Sequence, residues 1–182
     1  MRINLRAGAQ LSDRFRKLNP QVGVPSLQFD DGTLLTETMA IGCYLAAPQP
    51  SPGLFGRYGT GQRLYRAWPW RAEFAGLLPA TNALRNGEPR FAKQVVRPHA
   101  FAPIPPRVER GKAPSDDLSR APDEPVHGRE FVATDHFSAA DISAYIAIEF
   151  AAWVAMSGGA KWCDQSRWVE ATRARPSVWA LA

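Results

Sequence analysis

Apolar and polar positions change their period along the 182 residues. Over Val24-Pro25-Ser26-Leu27-Gln28-Phe29 they alternate, as on a strand with one buried face. Asp30-Asp31-Gly32-Thr33 is a tight-turn signature, and Leu34-Leu35 opens the returning strand. From Thr36 to Ala46 the pattern becomes helical. Met39, Ala40, Ile41, Cys43, Tyr44 and Leu45 leave few polar positions, which predicts a largely buried helix with Cys43 as a small core residue rather than a nucleophile. Upstream, residues 2–5 are expected to form a short strand. Residues 12–18 are expected to form a short helix capped by Ser12 and broken at Asn19-Pro20.

Pro48-Gln49-Pro50-Ser51-Pro52-Gly53 reads as a linker, dividing the chain into domains 1–47 and 54–182. Beyond it the periodicity is helical. Residues 61–86 form an aromatic-rich stretch that Pro69, and again Pro79, are expected to kink or break. Seven prolines between Pro98 and Pro125 cut the region 98–128 into short pieces. Ser138-Ala139-Ala140-Asp141 is a capping box, with Phe137 and Ile142 as its hydrophobic staple. The helix behind it repeats Ile142, Tyr145, Ile146, Phe150 and Trp153 on one face and is expected to end at Gly158-Gly159. A last helix, Ser166 to Ala174, is stopped by Pro176. The order is a small mixed piece followed by an all-helical one, an α+β arrangement.

The formal charge of +5 changes this picture little, because the Lys and Arg residues are scattered and form no basic arm. A small anionic ligand suits such a balance, and nucleic acid is not an expected partner. Cys43 and Cys163 make neither a disulfide framework nor a metal pattern. His99, His127 and His136 lie in loop or proline-rich segments and read as surface histidines, so no metal is expected. The absence of an apolar window of about 18 residues predicts no membrane span. The first residues lack the apolar core of a signal peptide, which makes a reducing cytoplasm the default location.

Two places carry candidate chemistry. Val24-Pro25 precedes a strand; if its peptide bond is cis, the Val24 backbone turns outward, free to pair with an extended peptide, and otherwise it is an ordinary proline at a strand start. Glu37-Thr38 falls at a helix start, where free N–H groups and the positive end of the dipole attract a carboxylate. There Thr38 adds a hydroxyl donor and Glu37 can accept from an ammonium group; the alternative is a plain capping pair.

Four segments in order resemble the glutathione S-transferase family: Leu18-Asn19-Pro20 with Val24-Pro25-Ser26-Leu27; Asp30-Asp31-Gly32-Thr33-Leu34-Leu35-Thr36-Glu37-Thr38-Met39-Ala40-Ile41 through Tyr44-Leu45; Phe131-Val132-Ala133 through Phe137-Ser138-Ala139-Ala140-Asp141-Ile142; and Arg167-Trp168 with Arg175-Pro176-Ser177. The resemblance implies a partial thioredoxin-like N-terminal domain joined to an all-helical C-terminal domain. It implies a cis Val24-Pro25 bond, and a glutathione site formed by Val24, Pro25, Glu37 and Thr38. It also implies a homodimer acting on small electrophiles in detoxification. Ser138 and Asp141 are read as structural.

The chain departs from the family at its start. A βαβ unit takes about 30 residues or more, and the 23 residues before Val24 already read as the second strand and helix. The first strand and helix, with the family's catalytic Ser, Tyr or Cys, are therefore expected to be absent, and no catalytic residue is assigned. Gly23 removes a polar contact, the proline-rich region 98–128 stands where relatives carry a long helix, and Pro69 interrupts the first helix of the helical domain. Two functions follow: transfer of the glutathione thiolate to an electrophile or a disulfide, or a non-catalytic transferase-like module for binding or dimerisation. A basic nucleic-acid-associated protein is the third and weakest.

Overall fold

The computed structural model describes residues 1–5, 7–49, 53–55, 67–87, 102–112, 130–153 and 163–179. They fall into two compact units, the first holding the residues up to Gln49 together with Ala102, and the second those from Gly53 to Gly87 and from Pro103 onward. His99, His127, Gly158-Gly159 and much of the linker and of region 98–128 lie outside the described residues.

In the first unit, Ser12 caps helix α1 (Asp13–Leu18), its Oγ accepting the Phe15 N–H at 3.3 Å. Strand β1 (Ser26–Gln28) pairs antiparallel with β2 (Leu34–Thr36), in the register Ser26 to Thr36, Leu27 to Leu35 and Gln28 to Leu34. The turn between them uses Gly32 at φ 85°, a conformation glycine adopts without steric cost. The Asp31 carboxylate accepts the Thr33 N–H at 2.8 Å; that bond, with a second from the Thr33 side chain, holds its pKa below the ordinary value. Helix α2 (Thr38–Ala46) follows.

Two expectations fail in this unit. Residues 2–5 form no strand. No residue of α2 is buried, and Met39, Cys43, Tyr44 and Leu45 are exposed. The sequence pattern marked α2 for burial on most faces, but a sheet of two three-residue strands covers too little of it. Tyr44 of α2 meets Phe29 edge-on, with ring centroids 4.8 Å apart. Cys43 is thus not the core residue the pattern suggested.

The described part of the second unit contains no strand. Residues 67–87 (α3) stay helical through both Pro69 and Pro79, so neither proline breaks the helix. The middle of α3, Ala72–Leu77, is wound as a π-helix, with the Leu78 N–H bonded to the Glu73 carbonyl five residues back. Proline lacks an N–H and its ring collides with the carbonyl four residues earlier in a regular helix, so a widened turn just ahead of Pro79 accommodates it. Helix α4 (Pro106–Lys112) starts on a proline, whose missing donor costs nothing at that position. It crosses α3 at Gly111, whose backbone is so close that an added Cβ would lie 2.6 Å from the Pro79 carbonyl oxygen. Asn86 holds the approach to α4 by accepting the Ile104 N–H at 2.7 Å.

Helix α5 (Ala139–Trp153) is the centre of this unit. Its buried stripe includes Ala140, Ala144 and Ala147; of the sequence pattern's large apolar residues Ile142, Tyr145 and Phe150 are half-buried, Ile146 is about half exposed, and the Trp153 side chain lies outside the description. Alanines let helices approach closely: Ala147 meets Ala72 of α3, and Phe150 and Ala151 pack on Ala80 and Ala83. Trp68, Val132, Trp168 and Val169 complete the largest apolar cluster. Helix α6 (Cys163–Arg173) begins three residues earlier than the sequence suggested. Arg173 binds Glu149 of α5 and Glu170 of its own helix, and these bonds, Glu149 first, raise its pKa further. Pro176 does stop α6 but also opens a short helix α7 (Pro176–Trp179).

The capping box holds, and it reaches further than its four residues. Asp141 is fully buried. Its Oδ2 accepts the Ser138 N–H at 3.0 Å and the Ser138 hydroxyl at 3.1 Å. Its Oδ1 accepts the Val132 N–H at 2.9 Å and the Trp168 indole N–H at 3.1 Å. One carboxylate therefore ties the entry loop, the N-terminus of α5 and α6 together.

Candidate functional site

Val24, Pro25, Glu37 and Thr38 are all exposed. The Val24–Pro25 bond is cis. The β1–β2 ladder ends at the Ser26–Thr36 pair, so the chain leaves it through Pro25 on one strand and through Glu37 on the other. Val24–Pro25 and Glu37–Thr38 therefore adjoin the last pair of the ladder in sequence. Among the described residues the Val24 N–H and C=O have no hydrogen-bond partner. At the start of α2 the first N–H groups have no acceptor within the helix, leaving donors and a partial positive charge there.

Glu37 is the N-cap of α2, with φ 70° and ψ 123°, and its side chain makes no capping bond. A non-glycine residue in this region is strained, and such strain clusters where a ligand is held. The Glu37 side chain therefore does not cap α2.

The loop before Pro25 is built by Asn19, whose part in the site the sequence reading missed. Asn19 closes α1, its N–H bonded to the Phe15 carbonyl at 2.7 Å, and is almost fully buried. Its Nδ2 donates to the Gly23 carbonyl at 2.9 Å and to Ser26 Oγ at 3.1 Å, and its Oδ1 accepts the Gln21 N–H at 3.0 Å. Ser26 Oγ in turn donates to Gly23 at 2.9 Å. The residues on both sides of Val24–Pro25 are thereby clamped to one side chain. The only sequence signal was Asn19-Pro20, legible as a helix breaker and as part of the family likeness. Among the described residues no cluster of His, Cys, Asp and Glu could hold a metal ion, and no helix is long and apolar enough to cross a membrane.

A cis-proline hairpin leading into a helix, followed by a unit whose described elements are helices, has the order of a glutathione-transferase fold: a thioredoxin-like N-terminal part and a helical C-terminal part. No family model matches the chain. Glutathione S-transferase 2 of Saccharomyces cerevisiae is 31% identical over 189 aligned positions, 98% of this chain and 75% of that protein. The crystal structure of Gtt2 from Saccharomyces cerevisiae matches with a TM-score of 0.85 at 28% identity, covering 100% of this chain and 86% of that one. A Gtt2-class glutathione S-transferase of Vibrio parahaemolyticus gives 0.79 at 29% identity, covering 99% and 83%. The chain belongs to the glutathione S-transferase family.

Proposed function

We propose that the chain binds glutathione at the end of the hairpin and presents its thiolate to a small electrophile. The observation that supports this reading is the hairpin, whose last pair, Ser26–Thr36, is flanked by the cis Val24–Pro25 peptide and by the start of α2. The γ-glutamyl carboxylate docks on the first N–H groups of α2 and the Thr38 hydroxyl, and its ammonium pairs with Glu37. The Val24 backbone pairs with the peptide as an added strand would, and Pro25 holds the outward turn. In the transfer step the sulfur forms a bond to an electrophilic carbon as the leaving group departs with its electron pair, or it displaces one sulfur of a disulfide. No side chain is assigned to lowering the thiol pKa. The name of the yeast relative supports this reading.

The same proposal divides the chain into a glutathione-binding part, residues 1–47, and a helical part, residues 54–182, and places a homodimer in the cytoplasm, serving detoxification. A second reading, a non-catalytic module for binding or dimerisation, is favoured by the exposed apolar side chains of α2: Met39, Tyr44 and Leu45.

Calorimetric titration with glutathione tests the site. Saturable binding with a Kd of about 1 mM or tighter, weakened about tenfold or more in Glu37→Ala, is expected. No heat of binding up to about 10 mM would reject the reading. Turnover of an activated aryl halide with glutathione separates the enzyme from the module.

A further inference from the structure

The Gly23 carbonyl takes two donors. Asn19 Nδ2 reaches it at 2.9 Å, and the Ser26 hydroxyl reaches it from the start of β1, also at 2.9 Å. The Gly23–Val24 peptide bond is trans, and in a planar trans peptide the C=O and the N–H point in opposite directions. A carbonyl drawn toward Asn19 therefore turns the Val24 N–H away from it, to a side where, among the described residues, no acceptor meets it. We propose that Asn19 is a positioning residue, which aims and holds the Val24 N–H as a donor for an extended peptide ligand. That this peptide is glutathione rests on the function proposed above.

The clamp closes on itself. Asn19 Nδ2 donates to Ser26 Oγ at 3.1 Å as well as to Gly23, and the Ser26 hydroxyl gives its one proton to Gly23, so the three groups form a ring of bonds. The Asn19 amide oxygen accepts the Gln21 N–H at 3.0 Å, and the Asn19 carbonyl accepts the Val22 N–H at 2.9 Å. The residue is 2% exposed, so water does not compete for these bonds. Val22 shows how firmly the loop is held: it sits at φ 52° with its side chain buried. A β-branched residue rarely adopts this left-handed conformation. It persists where the surroundings over-determine the backbone, as the bonds on Gln21, Val22 and Gly23 do here.

Asn19 acts through the Gly23–Val24 peptide plane and not on the ligand, because its side chain is buried and fully engaged within the loop. A donor fixed before the ligand arrives removes the cost of ordering it from the binding step. The role calls for an amide. Its NH2 supplies both donors and its oxygen the acceptor, whereas an ionised aspartate would turn an oxygen toward the Gly23 carbonyl and repel it.

The test uses the whole chain, with folding checked by circular dichroism. Asn19→Asp matches asparagine in shape and keeps the acceptor for Gln21, but it removes both donors. Backbone 15N relaxation gives the order parameter of the Val24 amide without any ligand. It is expected near about 0.8 in wild type and below about 0.6 in Asn19→Asp, with the α2 amides staying near about 0.85 in both. Titration calorimetry with glutathione is expected to show binding weakened about threefold or more in Asn19→Asp. A residue that only stabilised the loop would lower the unfolding midpoint and leave the affinity of the folded chain unchanged. If Asn19→Asp does not fold, Ser26→Ala takes one arm from the clamp at a half-buried position and is expected to move both readouts the same way, the affinity by about twofold. A Val24 amide as mobile in wild type as in the variant overturns the proposal. So does a folded Asn19→Asp whose affinity stays within about twofold of wild type, or a Ser26→Ala chain indistinguishable from wild type. A wild-type chain that binds no glutathione rejects the proposed function, and the order parameters then decide the role of Asn19 by themselves.

Discussion

Removing the Asp141 carboxylate should cost the helical unit a large part of its stability. In Asp141→Ala three N–H donors lose their acceptor: those of Val132, Ser138 and the Trp168 indole. The Ser138 hydroxyl can rotate to another partner, but the three N–H groups are fixed by backbone or ring. A buried donor left unsatisfied costs about 1–3 kcal/mol, and the three share one site, so about 4–6 kcal/mol is expected rather than the full sum. Against a usual domain stability of about 5–15 kcal/mol, this brings the variant close to unfolding at room temperature. Asp141→Asn keeps Oδ1 for Val132 and Trp168 but turns an NH2 toward the Ser138 N–H, so a smaller loss of about 2–3 kcal/mol is expected. Urea unfolding followed by circular dichroism measures both, with the m value checked for two-state behaviour. If Asp141→Ala lost less than about 1 kcal/mol at unchanged m, the carboxylate would not be the tie between loop, α5 and α6 described above.

Gly111→Ala should destabilise by about 1–3 kcal/mol, because the new Cβ meets backbone atoms of α3, the Pro79 oxygen at 2.6 Å and the Ala83 nitrogen at 2.9 Å. Gly87→Ala, whose Cβ would meet the Val108 side chain at 3.4 Å, is the comparison expected to be tolerated, and thermal unfolding of the pair checks the contrast. Glu37→Gly and Glu37→Ala should both lose glutathione affinity by calorimetry. At φ 70° the glycine variant should nonetheless be the more stable by about 1 kcal/mol, and equal stabilities would show that the N-cap is unstrained. Asp31 has a pKa held down by the Thr33 N–H, so its contribution to stability is present above the unfolded-state value of about 3.9 and is lost as pH falls through the lower folded value. Acid unfolding of Asp31→Ala should lack that component, and a profile superimposable on wild type would count against the turn bond.

The sequence by itself determined what neighbouring residues settle between them. The Ser12 cap, the turn at Gly32, the hairpin it closes and the capping box at Ser138 each rest on a few consecutive side chains acting on nearby backbone, so local chemistry suffices. The four residues proposed for the glutathione site were picked out by the same local chemistry joined to a family likeness, since a cis-proline strand start and a helix start are both local. Tertiary structure decided the rest. Which face of a helix is buried depends on what lies across from it: α2 is apolar all round yet buries no residue, while α5 packs through Ala140, Ala144 and Ala147 because α3 comes close. Pro79 sits in a continuous helix because a π-wound turn precedes it and Gly111 lets α4 pass over its carbonyl. Asn19 reaches Ser26 and Asp141 reaches Trp168, 7 and 27 residues away, and His136 meets Gly53 at a separation of 83. Side chains so far apart in sequence meet only after the backbone has folded, so no local pattern encodes them.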